Sequence, residues 1–323
     1  MVFFDHALWL LVAALILDAA VGDPDWLWKR LPHPVVLFGK AIGAMDRRLN
    51  RSSFSPTRRR AGGIATLIVL VASAGFLGWA LQTGFDRLPF GEALTVSVAA
   101  VFIAHNSLYR HVARVRDALT ADGLSAGRKA VSMIVGRDPA RLDEAGVSRA
   151  AIESGAENFS DGVVAPAFWF ALLGLPGLIA YKAINTADSM IGHKNETYQD
   201  YGWAAARFDD LVNLPAARLS GLLIAIAAPL AGGSAFKSLR AIWNDAAKHR
   251  SPNAGWPEAA MAGALDLALA GPRTYAGYVV DDPYMNPAGR IDATARDIGR
   301  SLKILNGAWA TMVAGALAAA AAL

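Results

Sequence analysis

Long apolar stretches alternate with polar connectors along this chain. Residues 61–81 contain no charged side chain over 21 residues, which is long enough for a membrane-spanning helix. Shorter or weaker apolar stretches occupy residues 7–21, 93–104 and 304–323. The pattern predicts an all-α, polytopic integral membrane protein with four to six spanning or re-entrant helices.

Two further apolar stretches, 163–181 and 219–236, are interrupted by proline and glycine. Each is compatible with a straight span or with a broken, re-entrant segment, because irregular backbone at membrane depth is tolerated where protein covers it. The connectors carry apolar residues at helical spacing. We predict amphipathic helices at about 35–49 and 105–119, and amphipathic pieces within 237–303.

Lysine and arginine are unevenly distributed among the connectors. There are 9 in 22–60, 8 in 105–162 and 9 in 237–303, but only 1 in 82–91. The positive-inside rule therefore places the three basic regions in the cytoplasm and 82–91 outside, within one membrane-embedded domain covering 1–323. Six simple spans would leave the loop 182–218 outside. Two re-entrant segments would bring it inside, and we favour this four-span arrangement.

Composition supports this reading and excludes several kinds of chemistry. Apolar residues make up 54% of the chain and charged residues 18%, as expected for a membrane protein with substantial polar loops. The absence of cysteine excludes disulfides, thiolate catalysis and cysteine metal sites. No P-loop, G-x-G-x-x-G, H-E-x-x-H or G-x-S-x-G pattern occurs. We therefore expect no haem, flavin or zinc and no nucleic-acid partner.

Polar side chains concentrate between residues 149 and 218. Glu153, Glu157 and Asp161 are spaced at i, i+4 and i+8, so a continuous helix would place all three on one face. Like charges at this spacing repel one another. The face would suit a bound cation, whether a metal, an amine or an arginine; alternatively it is a solvated acidic face beside a membrane segment.

The next polar group follows the apolar stretch 163–181. Lys182, Asn185 and Asp188 share one helical face, and a dense polar turn at 193–196 follows Gly192. A cation, an amide and an acid near a span end fit recognition of phosphate or carboxylate, with an acid available for Mg²⁺. The alternative is an ordinary helix end with a snorkelling lysine.

Adjacent acids follow an arginine in the last polar group. Asp209 and Asp210 come after Arg207, and Asn213 lies four residues beyond Asp209. Adjacent aspartates beside a membrane segment can hold Mg²⁺ against a phosphate, although the D-D-x-x-D spacing of a prenyl-diphosphate site is absent. Two solvated aspartates are the alternative reading.

These motifs carry a family resemblance. The chain contains GRDPARLDEAGVSRAAIESGAENFSDGVVAPAFW, then YKAINTADSMIGHKNETYQDYGWAAARFDDLVNLPAARL, and earlier the pair GDP at 22–24 and PHPV at 32–35. Together they resemble the CobD/CbiB family of cobalamin biosynthesis. The resemblance implies a multi-pass protein of the bacterial cytoplasmic membrane. It also implies an amide ligase that joins the carboxylate of adenosylcobyric acid to (R)-1-amino-2-propanol phosphate or a related amino alcohol.

The resemblance also implies site residues and cosubstrates. Amide formation from a carboxylate needs activation, for which we expect ATP and Mg²⁺. Glu153 or Glu196 could take the proton of the attacking ammonium. The expected catalytic residues are Glu153, Glu157, Asp161, Asp188 and Glu196; the expected substrate-binding residues are His33, Asn158, Lys182, Asn185, Lys194, Asn195 and Arg207; the expected metal ligands are Glu157, Asp161, Asp188, Asp209 and Asp210.

Partners follow from the same resemblance. We expect the corrinoid to rest on aromatic residues at the membrane edge, around Trp26, Trp28, Trp169 and Trp203. Other membrane-associated enzymes of the pathway are expected neighbours, and an oligomer is left open. The rival reading is a corrinoid transporter, or a regulator of the related β-lactamase-regulation group, because intramembrane acids and broken helices also mark substrate pathways.

Overall fold

The computed structural model describes residues 2–136, 139–275, 278–280 and 282–323, with side chains omitted at 2–5, 25, 273–275 and 278–280. The described helices are α1 (Val2–Val21), α2 (Asp25–Trp28), α3 (Pro34–Leu49), α4 (Pro56–Phe85), α5 (Gly91–Phe102), α6 (His105–Val131), α7 (Glu144–Phe159), α8 (Ala165–Ile191), α9 (Trp203–Ala227), α10 (Ala235–Asp245), α11 (Gly255–Leu265) and α12 (Ala295–Ala322). The described strands are β1 (Leu269–Ala270), β2 (Arg273–Tyr275), β3 (Tyr278–Val280) and β4 (Tyr284–Met285). The predicted all-α fold is confirmed, because the strands are short.

Five helical segments of the described chain are long and apolar enough to cross a membrane. They are Pro56–Phe85, Gly91–Val131, Glu144–Ile191, Trp203–Ala231 and Ala295–Ala322, and a shorter apolar helix covers His6–Val21. The protein is therefore a multi-pass membrane protein, as predicted. The ambiguous stretch 163–181 lies within one of these long segments, and 219–236 lies within another as far as Ala231, while the side on which 182–218 lies remains a prediction.

A straight span and a broken segment were both compatible with 163–181, and the structure has a break inside α8. Gly174 has φ +64° and ψ −150°, a backbone conformation that glycine adopts at little cost. The backbone N–H of Leu175 consequently loses its helical acceptor and donates instead to Oε1 of Gln82 on α4, at 3.0 Å. In an apolar environment this substitute acceptor is necessary, because no water molecule is available to accept a hydrogen bond from the N–H group.

The contacts divide the chain into two compact units. Unit 1 comprises Met1–Ala104, Ala165–Asn213 and Ala316–Leu323, and unit 2 comprises His105–Val164 and Leu214–Gly315. The prediction of one membrane-embedded domain is not tested by this division.

In unit 1 the broken helix α8 packs on α1, α3, α4 and α5. The backbones of α4 and α8 approach closely: a Cβ on Gly78 would lie 2.6 Å from Cα of Pro176. The loop after α8 is tied to α4 through Tyr201, whose hydroxyl lies 2.7 Å from Oγ1 of Thr66. Burial raises the pKa of Tyr201 to about 12, so this phenol stays neutral.

Unit 2 combines helices with a small amount of β structure. Helix α7 packs on α6 and α11, and α10 packs on α11. A π-helical turn, Ser160–Val164, follows α7. Strands β1 and β4 pair antiparallel, as do β2 and β3. The amphipathic pieces predicted within 237–303 correspond to α10 and the start of α12, whereas α11 is almost wholly buried. The short strands were not predicted.

Candidate functional site

In unit 1 the carboxylate of Asp209 on α9 lies against the face of α8 that carries Asn185. The Asp209 carboxylate accepts from Nδ2 of Asn213 at 2.9 Å and faces Nδ2 of Asn185 at 3.5 Å. Oδ1 of Asn213 accepts from the hydroxyl of Tyr181 at 2.9 Å. Asp209 is 7% exposed and Asn213 is 1% exposed. The carboxylate is therefore buried and held in place by amide donors. We call Tyr181, Asn185, Asp188, Asp209, Asp210 and Asn213 the α8–α9 cluster.

Charged side chains surround this buried carboxylate. Asp188 of α8 interacts electrostatically with both Asp209 and Asp210. Arg207 lies one turn before Asp210, with Nη1 3.5 Å from Oδ2, and Lys194 acts on the same carboxylate through its charge. The structure thus groups three of the predicted metal ligands with two of the predicted phosphate-binding cations.

His33 of the PHPV motif lies next to Asp23 of the GDP motif and is the N-cap residue of α3. Its Nδ1 accepts from the backbone N–H of Val35 at 3.2 Å, and its Nε2 lies 3.8 Å from Oδ1 of Asp23. Burial lowers the pKa of His33, the opposing Asp23 charge raises it, and the Lys182 charge lowers it. The histidine is therefore neutral at neutral pH, lies between an acid and a cation, and is coupled to the polar face of α8.

The polar turn after α8 is exposed. Oδ1 of Asn195 accepts from the backbone N–H groups of Thr197 and Tyr198, at 3.1 and 2.9 Å, which orders the turn. The backbone carbonyl of Glu196 accepts from Arg59 at 3.2 Å. These contacts account for the turn's conformation and do not connect the Glu196 side chain to the α8–α9 cluster.

The remaining predicted acids belong to unit 2 and occupy different environments. Glu153 is buried and its Oε1 accepts from the backbone N–H of Ala270 at 2.9 Å, whereas Glu157 is exposed. Nδ2 of Asn158 donates to the carbonyl of Ser154 at 2.8 Å. Asp161 lies in the π-helical turn. The helix through the three acids is not regular, because the π turn changes the helical register after residue 159.

The carboxylates of the α8–α9 cluster fit a magnesium–phosphate complex better than a metal held by protein alone. Among the described residues, no three His, Asp or Glu side chains are grouped closely enough to hold a metal ion by themselves. Magnesium commonly takes one or two carboxylates and completes its shell with water and substrate phosphate. Asp209 and Asp210, beside Asp188, offer such a partial set; Glu157 and Asp161 belong to unit 2.

The four tryptophans expected to support the corrinoid belong to unit 1 but do not share one kind of contact. Trp26 is 64% exposed. Trp28 packs edge-on against His33, with ring centroids 4.5 Å apart. Nε1 of Trp169 donates to the carbonyl of Val212 at 3.1 Å, and the guanidinium of Arg60 covers Trp203 at 3.7 Å. Trp26 is thus the most openly presented of the four, and the corrinoid surface remains a prediction.

Three contributors to the site were not among the predicted site residues. Asn213 binds Asp209, and its spacing of four residues was the available signal. Asp23 faces His33, and its place in the GDP motif marked it. Tyr181 lies at the end of an apolar run, so nothing local distinguished its hydroxyl from that of an ordinary core tyrosine.

Comparison with known proteins gives consistent matches over nearly the whole chain. The family model described as CobD/Cbib protein matches residues 11–305. A cobalamin biosynthesis protein CobD from Sinorhizobium fredii is 57% identical over 308 residues, covering 94% of both chains. Proteins of the same name from Brucella suis biovar 1 and Rhodobacter capsulatus are 52% and 45% identical, covering 94% of this chain and 93% and 94% of their own. No solved structure matches the chain. This chain belongs to the CobD/CbiB family.

Proposed function

We propose that this chain is a membrane enzyme of cobalamin biosynthesis that forms an amide bond. The acyl partner is the propionate carboxylate of adenosylcobyric acid, and the amine is (R)-1-amino-2-propanol phosphate or a related amino alcohol. The product is adenosylcobinamide phosphate, and the reaction consumes ATP with Mg²⁺. Membership of the family and the names of the relatives support the pathway. The α8–α9 cluster supports the site.

The arrangement of Asp209 carries the proposal. Its carboxylate is buried, is held by Asn213 and faces Asn185, and lies beside the carboxylate of Asp188. Two carboxylates in a partly desolvated place repel each other, and a nearby cation relieves that repulsion. The amino-alcohol phosphate contains an ammonium group, and magnesium nucleotide contains a metal ion. Each of these two expected substrates therefore supplies a positive charge that reduces the repulsion between the carboxylates of the cluster.

The proposed reaction has two balanced steps. A carboxylate oxygen of the corrinoid attacks either the γ-phosphorus of ATP, which forms an acyl phosphate and releases ADP, or the α-phosphorus, which forms an adenylate and releases pyrophosphate. The amine then attacks the carbonyl carbon, and phosphate or AMP leaves. The ammonium loses one proton before this attack and a second as the neutral amide forms, and the second proton passes to bulk water. We assign Asp188 as the acceptor of the first proton, because its carboxylate lies beside the buried Asp209 and belongs to the same helix as Asn185.

Binding of phosphate is assigned to the cations beside the acids. Arg207 and Lys194 both act on Asp210, so they are close to the acids where a phosphate would bind. Arginine binds phosphate through paired N–H donors, and lysine does so as a point charge. Magnesium, when bound, would neutralise phosphate charge, and Asp209 and Asp210 are the residues that would hold it.

The test uses purified full-length protein in detergent. Adenosylcobyric acid, aminopropanol phosphate and Mg²⁺ are supplied with and without ATP, and products are followed by mass spectrometry. The proposal expects the corrinoid to gain the mass of aminopropanol phosphate less one water, only when ATP is present. Asp117→Asn on α6 is a matched control, because Asp117 is an exposed acid outside the cluster.

The transporter reading makes a different prediction in the same system. Reconstituted protein would move labelled corrinoid across a vesicle membrane without forming the amide. The break at Gly174 does not favour that reading, because Gln82 satisfies the freed backbone N–H of Leu175. Transport without product, under every nucleotide condition, would overturn the synthase proposal.

A further inference from the structure

Helix α10 presents its bulky apolar side chains outward. Phe236, Leu239 and Trp243 follow one another at i, i+3 and i+7, which places them on one helical face. Their exposed fractions are 74%, 47% and 89%. Such a continuous apolar face indicates an interaction surface, because large exposed apolar patches are rare on protein surfaces that contact only water.

The opposite face of α10 is the one that packs inside unit 2. It consists of the small or polar residues Ser238, Ala241 and Asp245, all buried. Oγ of Ser238 donates to the carbonyl of Ala260 on α11 at 2.7 Å, and Oδ2 of Asp245 accepts from the backbone N–H of Asn286 at 2.9 Å. The helix is therefore fixed by polar contacts on its inner side, which leaves the aromatic side directed away from the core.

The position of α10 along the chain indicates what covers this face. The membrane-spanning segment Trp203–Ala231 ends only three residues before α10 begins. A linker of this length bridges roughly 10–15 Å, which is less than half of the hydrocarbon thickness of about 30 Å. Leu230, at the end of that segment, is itself 67% exposed. The start of α10 is thus confined to the neighbourhood of a membrane surface.

We propose that α10 lies in the interfacial layer of the bilayer that this chain spans. In this position Trp243, Phe236 and Leu239 enter the boundary between headgroups and acyl chains, the region that tryptophan favours. Arg240 is exposed at the border of the apolar face, between Phe236 and Asn244 around the helix, where a guanidinium reaches headgroup phosphates while its stem covers apolar surface. The helix then anchors α11 and strand β4, which it contacts, to the membrane surface.

The test exploits the absence of cysteine from the natural sequence. Single-cysteine variants Trp243→Cys and Asn244→Cys of the full chain are labelled with an environment-sensitive fluorophore. They are then reconstituted into vesicles of phosphatidylcholine and phosphatidylglycerol. Asn244 is the matched control, because it is the exposed neighbour on the polar side of the same helix. Both side chains are exposed, so neither substitution removes a core contact.

Two quenchers distinguish the possible surroundings of the label. The proposal expects the probe at position 243 to be quenched several-fold more by lipids with a spin label near the headgroup, and several-fold less by iodide on both sides of the membrane, than the probe at 244. Equal iodide quenching at both positions would overturn the proposal by placing the face in water. Protection of position 243 from both quenchers would overturn it by placing the face against protein. Phe236→Cys, compared with Lys237→Cys, repeats the test at the other end of the helix.

Discussion

The side-chain amide of Asn213 connects Asp209 to Tyr181. Its Nδ2 donates to Oδ2 of Asp209 at 2.9 Å, while its Oδ1 accepts from the hydroxyl of Tyr181 at 2.9 Å. An amide is suited to this position because it donates and accepts at once. The hydroxyl on α8 thereby fixes the orientation of the amide on α9, and the amide fixes the carboxylate.

Tyr181→Phe should lower the free energy of unfolding by about 1 kcal/mol, because a single buried hydrogen bond is lost. Asn213→Ala should cost more, about 1–3 kcal/mol, since it removes the buried hydrogen bonds that the amide makes to both Asp209 and Tyr181. Denaturation in detergent, compared among the two variants and the natural protein, measures both effects. A smaller loss for Asn213→Ala than for Tyr181→Phe would contradict the bridging role of the amide.

The break in α8 depends on Gln82. Gln82→Leu should lower the free energy of unfolding by about 1–3 kcal/mol, because the backbone N–H of Leu175 is left without an acceptor in an apolar setting. Gln82→Glu keeps an acceptor oxygen at the same place and should cost less when measured side by side. Equal stability of the Leu variant and the natural protein would show that another group satisfies Leu175.

His33 should make the stability of the protein depend on pH. Burial lowers its pKa in the folded state, so the unfolded chain binds the proton first as the pH falls. The stabilising contribution is complete above the ordinary histidine pKa of about 6.5 and is lost as the pH falls toward the lowered folded-state value. Protonation of Nδ1 would also remove the acceptor for Val35.

His33→Asn provides the comparison for this pH effect. Asparagine is a favoured N-cap and does not titrate, so the variant should lose stability less steeply between pH 7 and 5. Thermal unfolding of both proteins across this range measures the difference. Parallel curves for the variant and the natural protein would exclude His33 as the source.

Arg207 should affect substrate binding more than chemistry. Its side chain is 63% exposed and meets Asp210 at the edge of the cluster. Arg207→Ala should therefore raise KM for a phosphorylated substrate by roughly 10-fold, the effect of about 1.4 kcal/mol, with a smaller change in kcat. Steady-state kinetics with varied ATP and varied aminopropanol phosphate would identify which substrate it binds. A fall in kcat with both KM values unchanged would oppose this assignment.

Local patterns predicted much of the fold and part of the site. Uncharged stretches of sufficient length indicated the spans, and helical spacing placed Lys182, Asn185 and Asp188 on one face. That face does meet partners in the structure: Lys182 is coupled to His33, Asn185 faces Asp209, and Asp188 interacts with Asp209.

Long-range contacts could not be predicted in the same way. The contact between Glu153 and the backbone of Ala270 joins residues 117 positions apart, and no local pattern specifies it. The π turn at Ser160–Val164 similarly escaped prediction, because an extra residue in one turn leaves little trace in hydrophobic periodicity. Because of these two features Glu153, Glu157 and Asp161 have different environments, although they are evenly spaced in the sequence.

Whether the amide forms at the α8–α9 cluster is best decided by the variant Asp209→Asn. The substitution keeps the shape of the side chain and removes its charge. Formation of adenosylcobinamide phosphate by the purified variant is measured by mass spectrometry beside the natural protein and Asp117→Asn. We expect a loss of roughly 10²-fold or more in the Asp209 variant, with intact folding and an unaffected control. Full activity of Asp209→Asn in correctly folded protein would contradict it.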